Sequence, residues 1–183
     1  MRYIIFFLLL SVSGFSQVYY CSYSGGACDT NMINPTPTAV QVVEQVCYVL
    51  GITTIPIYQS GVSDACAFAD SFGNRCITYN ANFLGYLHQN NVWGPISVLA
   101  HEVGHHYSMH SSWYGSFMHP WTRELQADYV SGYVLYKLGC PSLDDAHAAF
   151  RLLFSYTGTN SHPDTPSRMD ALAQGYIRAS QGF

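Results

Sequence analysis

The pattern of apolar and polar positions along the chain predicts several amphipathic helices. Apolar residues recur at helical spacing over residues 39–50, between Thr38, which can cap a helix, and Gly51, which can end one. A second apolar stripe runs over residues 95–110, where Pro95 suits the first helical position. Cap residues predict three further helices, which begin at Thr122, Ser142 and Thr165.

Two short runs rich in β-branched and aromatic residues, 52–58 and 75–79, predict strands. A Gly-Asn pair at residues 73–74 predicts a hairpin turn ahead of the second strand. Residues 80–91 fit a short helix, and the Gly, Ser, Asn and Pro content of residues 21–38 predicts an irregular lead-in. A small sheet with four or five helices indicates an α+β fold.

The start of the chain, MRYIIFFLLLSVSGFSQ, has the layout of a secretory signal: the cation Arg2, an apolar run, and small residues before Gln17. We predict a signal peptide over residues 1–16 and one domain over residues 17–183. The alternative is a buried N-terminal helix or strand. Because the apolar run is too short to span a bilayer, we expect a secreted or periplasmic protein without stable membrane insertion.

The charge of the chain excludes one class of partner. The formal net charge is −4, and only 10% of the residues are charged. Lys and Arg form no basic stretch, so the electrostatic footprint of a nucleic-acid-binding protein is missing. We therefore expect no nucleic-acid partner.

The cysteine content indicates disulfides. All six cysteines follow the predicted signal peptide, and an even number in an exported chain predicts up to three bridges. Cys66–Cys76, across the predicted hairpin, is one candidate pair. A cysteine zinc site is the alternative, although the chain has no C-x-x-C pair. A further alternative is that residues 17–38 act as an inhibitory pro-segment, in which a cysteine thiolate binds a metal at the active site.

His101, Glu102 and His105 form an H-E-x-x-H motif on the helix predicted over residues 95–110. Positions i and i+4 share one helix face, so both imidazoles can reach one ion. Zinc accepts such nitrogen ligands, and a catalytic zinc site keeps one position for water. Glu102 lies beside that face and can accept a proton from the water. The alternative is a chance coincidence of these residues on one helix.

A zinc peptidase needs a third protein ligand, whose position decides the type of enzyme. The metzincin pattern would place glycine and histidine where this chain has Ser108 and Ser111. Glu124 and Asp128 instead share one face near the start of the next predicted helix. Glu124 can bind the metal, while Asp128 can accept the spare N–H of a ligand imidazole. The alternative for Glu124 is an ordinary first-turn glutamate that the helix dipole favours.

The segments HEVGHH and ELQADYVSGY together resemble the paired helix motifs of the gluzincins, in particular the neutral zinc metallopeptidases and the soluble bacterial relatives of the CAAX prenyl endopeptidases. The resemblance covers roughly residues 95–138. It implies a zincin-like single domain, with a small β-sheet, an active-site helix and a following ligand helix, and one zinc ion per chain. The implied roles are metal ligand for His101, His105 and Glu124, general base for Glu102, and partner of a ligand histidine for Asp128.

Two other segments resemble the CAAX-endopeptidase relatives. Residues 67–77 resemble the hairpin that supplies the edge strand of the cleft, against which a substrate pairs; a buried hairpin is the alternative. Residues 161–163 with Arg168 resemble a segment that brings a histidine near the metal. This second resemblance implies a catalytic role for His162, and the alternative is a solvated loop histidine.

Other features depart from those relatives or stay open. The separation of His105 and Glu124 is shorter than in many of them, so specificity for prenyl peptides does not carry over. His106 faces away from the two motif histidines, and we expect it to be packed or exposed. His110 and His119 are candidates to line the cleft.

We therefore expect an exported endopeptidase that hydrolyses peptide or protein substrates through zinc-activated water. One alternative is a catalytically silent zinc-binding module in cell-surface adhesion or assembly, against which the intact Glu102 argues. Another is a metal-sequestering protein, against which the lack of a His-rich tract argues. No pattern in the sequence indicates an oligomeric state.

Overall fold

The computed structural model describes residues 19–23, 25, 27–70 and 72–182. The strands are β1 (Tyr19–Ser22), β2 (Ile57–Gln59), β3 (Ala65–Ala69) and β4 (Arg75–Tyr79). The helices are α1 (Pro37–Leu50), α2 (Ala81–Asn90), α3 (Trp93–Tyr107), α4 (Pro120–Lys137), α5 (Leu143–Ala146), α6 (Ala148–Leu152) and α7 (Thr165–Ser180), with a 3-10 turn at Tyr114–Phe117. This combination confirms the predicted α+β class. The predicted signal peptide, residues 1–16, and the predicted mature start at Gln17 lie outside the described residues.

In the described part of the chain, the strands form one sheet in the order β1-β3-β4-β2. β3 and β4 form the predicted hairpin, in whose turn the Asp70 carboxylate accepts hydrogen bonds from the backbone N–H groups of Phe72 and Asn74. β1 pairs antiparallel with β3, and β2 pairs parallel with β4. The hairpin does not supply an edge strand of this sheet, because β1 covers the free side of β3; of the two expectations, the structure favours the buried hairpin.

Prolines move the starts of two helices. α1 begins after Thr36 rather than Thr38, because Pro37 takes the first helical position. For the same reason, α4 begins after His119 rather than Thr122. β2 is shorter than the predicted strand, because the proline before it has no N–H to donate to the sheet. The segment predicted as an irregular lead-in instead begins within β1.

Close crossings of α3, α4 and α7 fix the positions of the site residues. A Cβ atom at Gly104 would lie 3.0 Å from the carbonyl oxygen of Ala127, so α3 and α4 approach closely. Cβ atoms at Gly132 and Gly175 would each lie 1.9 Å from a backbone carbonyl oxygen, so α4 and α7 approach still more closely. α4 therefore lies beside the part of α3 that carries the motif histidines, and α7 lies beside α4. No helix among the described residues is long and apolar enough to cross a membrane.

One disulfide joins Cys28 to Cys66. The predicted Cys66–Cys76 bridge is wrong because of the register of the hairpin: Cys66 lies opposite Thr78, whereas Cys76 lies opposite Phe68. Among the cysteine side chains that the structure describes, three others are buried free thiols, so the upper limit of three bridges is not reached; these are Cys47, Cys76 and Cys140. Burial raises the pKa of each of these thiols, which keeps them protonated and unreactive.

Candidate metal centre

The two motif histidines lie one turn apart on α3 and are fully buried. The exposed fraction is 1% for His101 and 0% for His105. Their Nε2 atoms lie 2.9 Å apart and point to the same place. The helix face that the sequence predicts to bind a metal is therefore enclosed by protein.

Glu124, near the start of α4, brings its carboxylate to the same place. Its Oε2 lies 3.3 Å from Nε2 of His101, and its Oε1 lies 3.5 Å from Nε2 of His105. One potential ligand atom from each of the three residues lies within 4.8 Å of the others. This buried cluster could hold a metal ion.

The spacing of these atoms can be compared with the geometry of zinc. Ligand atoms at roughly 2.0–2.1 Å from a tetrahedral zinc ion lie about 3.3 Å from one another. The two histidine–Glu124 distances, 3.3 and 3.5 Å, match this value, and the 2.9 Å between the histidines needs only a small ring rotation. Two imidazoles and a carboxylate are also a donor set that zinc accepts. The residues present fit zinc.

A buried ion pair orients His101. Nδ1 of His101 lies 2.7 Å from Oδ1 of Asp128, and Arg168 on α7 donates to both oxygens of Asp128, at 2.8 and 3.0 Å. Burial acts to raise the pKa of Asp128, but the charges of Arg168 and His101 outweigh it and hold that pKa below its ordinary value. Asp128 therefore stays ionised and can hold the Nδ1–H of His101, which leaves Nε2 free for a metal.

The end of β1 packs against this ion pair. Arg168 donates to the carbonyl oxygen of Tyr23 at 2.9 Å, and its guanidinium lies 4.8 Å from the centre of the Tyr23 ring. The same ring meets the His101 ring edge-on, with 5.0 Å between the centroids. Arg168 was predicted only together with His162, and Tyr23 had no predicted role, since no local pattern in the sequence links either residue to α3.

Glu102 is the most unusual carboxylate of the described chain. It is 0% exposed, and neither carboxylate oxygen has a hydrogen-bond partner among the described residues. Burial raises the pKa of Glu102 to about 8, although His101 acts in the opposite direction. Leaving a buried carboxylate without partners is costly, and such groups are typical of functional sites.

His110 lies behind His105. The Nδ1 atoms of the two rings are 2.9 Å apart, and Nε2 of His110 lies 2.9 Å from Oε1 of Gln126. Burial lowers the pKa of His110, so its imidazole is neutral at ordinary pH. The structure thus places this histidine behind His105 rather than in a cleft lining.

His162 lies beside Glu124 and is 9% exposed. Its Nε2 donates to the carbonyl oxygen of Ser22 at 2.7 Å and lies 3.4 Å from Oε2 of Glu124. Its Nδ1 lies 2.9 Å from Oγ of Ser161. The side chain is therefore a buried neighbour of the cluster rather than a solvated loop residue, and its catalytic role stays a prediction.

The remaining histidines near the motif have structural contacts. His106 is buried, with Nδ1 2.8 Å from Oγ of Ser111 and Nε2 3.0 Å from the carbonyl oxygen of Cys76. His119 is exposed and caps α4 by accepting a hydrogen bond from the backbone N–H of Trp121. Neither residue belongs to the cluster.

Comparisons with known proteins add no assignment to this geometry. No model of a known protein family, no curated protein and no solved structure matches this chain. The site itself is therefore the basis for a functional proposal.

Proposed function

We propose that this protein is an exported, zinc-dependent endopeptidase of the gluzincin type, with a zincin-like fold. The observation that carries the proposal is the buried cluster of His101, His105 and Glu124 beside the unpartnered carboxylate of Glu102. A purely structural cluster would have no need of a buried acid without partners. A metal centre with a general base uses all four residues.

In this proposal, His101, His105 and Glu124 would hold the zinc ion. When bound, zinc supplies Lewis-acid chemistry: it lowers the pKa of a water molecule and polarises a carbonyl group. Asp128 and Arg168 keep the ring of His101 in the ligating orientation. The buried surroundings strengthen the electrostatic effect of each charge on the reacting groups.

Glu102 acts as general base and then as general acid. Its carboxylate accepts a proton from the attacking water, and the resulting carboxylic acid passes the proton to the leaving amine. An acid whose pKa is raised by burial is suited to both steps, because it can hold a proton and release it near neutral pH. Glu124 would hold the metal and Asp128 is paired with Arg168, so Glu102 is the carboxylate left for this transfer.

His162 is the proposed donor to the oxyanion that develops on the substrate carbonyl. Its Nε2 lies next to Glu124 but is hydrogen-bonded to the carbonyl of Ser22. It would exchange this bond for one to the oxyanion during the reaction. An extended substrate would pair with β1, the edge strand that ends beside His162, rather than with the hairpin.

The test is digestion of a broad peptide library by the purified mature protein, with Glu102→Gln as the variant. We expect hydrolysis by the wild type that a chelator abolishes and zinc restores. Glu102→Gln should keep about one zinc per chain but lose hydrolysis, because it removes the proton acceptor and no ligand. Wild-type protein that binds zinc and cleaves no peptide would favour the silent zinc-binding module, and hydrolysis by Glu102→Gln at the wild-type rate would refute the mechanism.

A further inference from the structure

A chain of polar contacts leads from His105 to the surface of α4. The first contact joins Nδ1 of His105 to Nδ1 of His110 at 2.9 Å. The second joins Nε2 of His110 to Oε1 of Gln126 at 2.9 Å. Gln126 lies two residues after Glu124, so the chain connects two elements that both carry ligands.

The backbone after α3 holds His110 in this place. The N–H of His110 donates to the carbonyl of His105, and the N–H of Met109 donates to the carbonyl of His106, which is the hydrogen-bond pattern of a Schellman motif. Met109 takes the left-handed position of that motif, with a φ of 61°, although glycine is the usual residue there. This turn folds His110 back under His105.

The following loop packs against the same turn. A Cβ atom at Gly115 would lie 2.1 Å from the carbonyl oxygen of His110, so only glycine fits there without movement of the backbone. His110 itself is 0% exposed. A Schellman motif often brings two apolar side chains together at the positions that His105 and His110 occupy, whereas here it brings two imidazoles together.

The contacts fix one arrangement of protons. Nε2 of His105 faces His101 and Glu124, so in a metal-bound state Nδ1 carries the proton of His105. That N–H needs an acceptor, and Nδ1 of a neutral His110 is the atom in reach. The proton of His110 then resides on Nε2, from which it is donated to Oε1 of Gln126.

We propose that His110 is a positioning residue for the zinc ligand His105, acting through this Nδ1–H···Nδ1 hydrogen bond. The inference rests on the metal centre of the proposed function but not on its peptidase activity. His110 serves His105 as Asp128 serves His101, with a neutral acceptor in place of a carboxylate. Such partners fix the tautomer and orientation of a ligand histidine and so raise its affinity for the metal.

The first test measures zinc affinity by competition with a chromogenic chelator. We expect His110→Ala to bind zinc roughly 10–100-fold more weakly than the wild type. His110→Asn should recover most of the affinity, because an asparagine Oδ1 can accept the hydrogen bond nearly where Nδ1 does. His106→Ala is the matched control: it removes a buried neighbouring histidine whose side chain hydrogen-bonds to Ser111 and Cys76 rather than to the cluster, so it should leave zinc affinity unchanged even if the fold is less stable.

Several results would overturn the inference. Equal zinc affinity in His110→Ala and the wild type would refute the positioning role while leaving the metal centre intact. A wild-type protein that binds no zinc would refute both this inference and the proposed function. A wild type with two zinc ions per chain that falls to one in His110→Ala would show a second ion between the Nδ1 atoms instead of a proton.

A second measurement reads the protons directly. Long-range ¹H–¹⁵N correlation spectra of the zinc-loaded protein distinguish the two tautomers of each histidine. We expect the proton of His105 on Nδ1 and the proton of His110 on Nε2. A His110 with its proton on Nδ1 would have no lone pair to accept from His105, and this result would refute the hydrogen bond.

Discussion

Replacing Arg168 by alanine should destabilise the metal-free protein strongly. The variant removes the guanidinium that donates to both oxygens of Asp128 and to the carbonyl of Tyr23, and leaves a carboxylate that is 1% exposed without its cation. Removing one partner of a buried ion pair costs about 3–5 kcal/mol. For a domain of this size, that loss lowers the Tm by roughly 6–20 °C.

The assay is urea unfolding of the metal-free protein, followed by circular dichroism. Gln174→Ala is the control, because Gln174 is exposed on the same helix and its loss should change the unfolding free energy by no more than about 0.5 kcal/mol. A loss below about 1 kcal/mol in Arg168→Ala would show that the ion pair does not hold this part of the fold.

The difference in unfolding free energy between the wild type and Arg168→Ala should depend on pH. Arg168 and His101 hold the pKa of Asp128 below its ordinary value, against the effect of burial. A carboxyl with a lowered pKa stabilises the folded state above its unfolded pKa of about 3.9, and this contribution is lost as the pH falls through the folded pKa. The gap between wild type and Arg168→Ala should therefore shrink below about pH 4, and a gap that widens there would contradict the assignment.

Three further predictions follow from the disulfide and the site histidines. The Cys28–Cys66 bridge closes a separation of 38 residues, so the double serine variant should lose about 4 kcal/mol of unfolding free energy, and alkylation of either cysteine in unfolded, unreduced protein would contradict the pairing. Burial opposes the charge on His101, but Asp128 and Glu124 outweigh it and raise the pKa of His101 to about 9. Zinc binding near pH 7 should thus release a proton, and the apparent zinc affinity should rise with pH up to about 9. Titration calorimetry in buffers of different ionisation enthalpy measures this proton release. Equal binding heats in all buffers would argue against it. His162→Ala should keep its zinc and lose roughly 10²–10³ in kcat, whereas a change confined to KM would assign the residue to substrate binding.

The local signals in the sequence predicted the helices that carry the site. Helix periodicity requires His101 and His105 to share a face, and the same rule applies to Glu124 and Asp128. The sequence could not predict that α3 and α4 cross closely enough to join these faces, because that crossing depends on glycines packing against a distant backbone. The resemblance to the gluzincins supplied the expectation that these two helix faces meet, and the structure brings the four side chains together.

The contacts that sequence reasoning missed are those between elements far apart in the chain. β1 is a four-residue strand with no periodic signal of its own, so its place beside β3 was not predicted. The Cys28–Cys66 pair depends on that placement and on the hairpin register. His110 is the last residue of the helix predicted over residues 95–110, but α3 ends at Tyr107, and the turn that places His110 requires a non-glycine residue, Met109, in a left-handed conformation.

The zinc content of the wild type and of Glu124→Ala tests the central claim most directly. Both proteins are purified, dialysed against a weak chelator and analysed by inductively coupled plasma mass spectrometry, with Glu44→Ala as a control for loss of an exposed glutamate. We expect about one zinc per chain in the wild type and in Glu44→Ala, and much less in Glu124→Ala, because two histidines alone hold zinc weakly. Equal zinc in the wild type and Glu124→Ala, or none in either, would contradict the proposed metal centre.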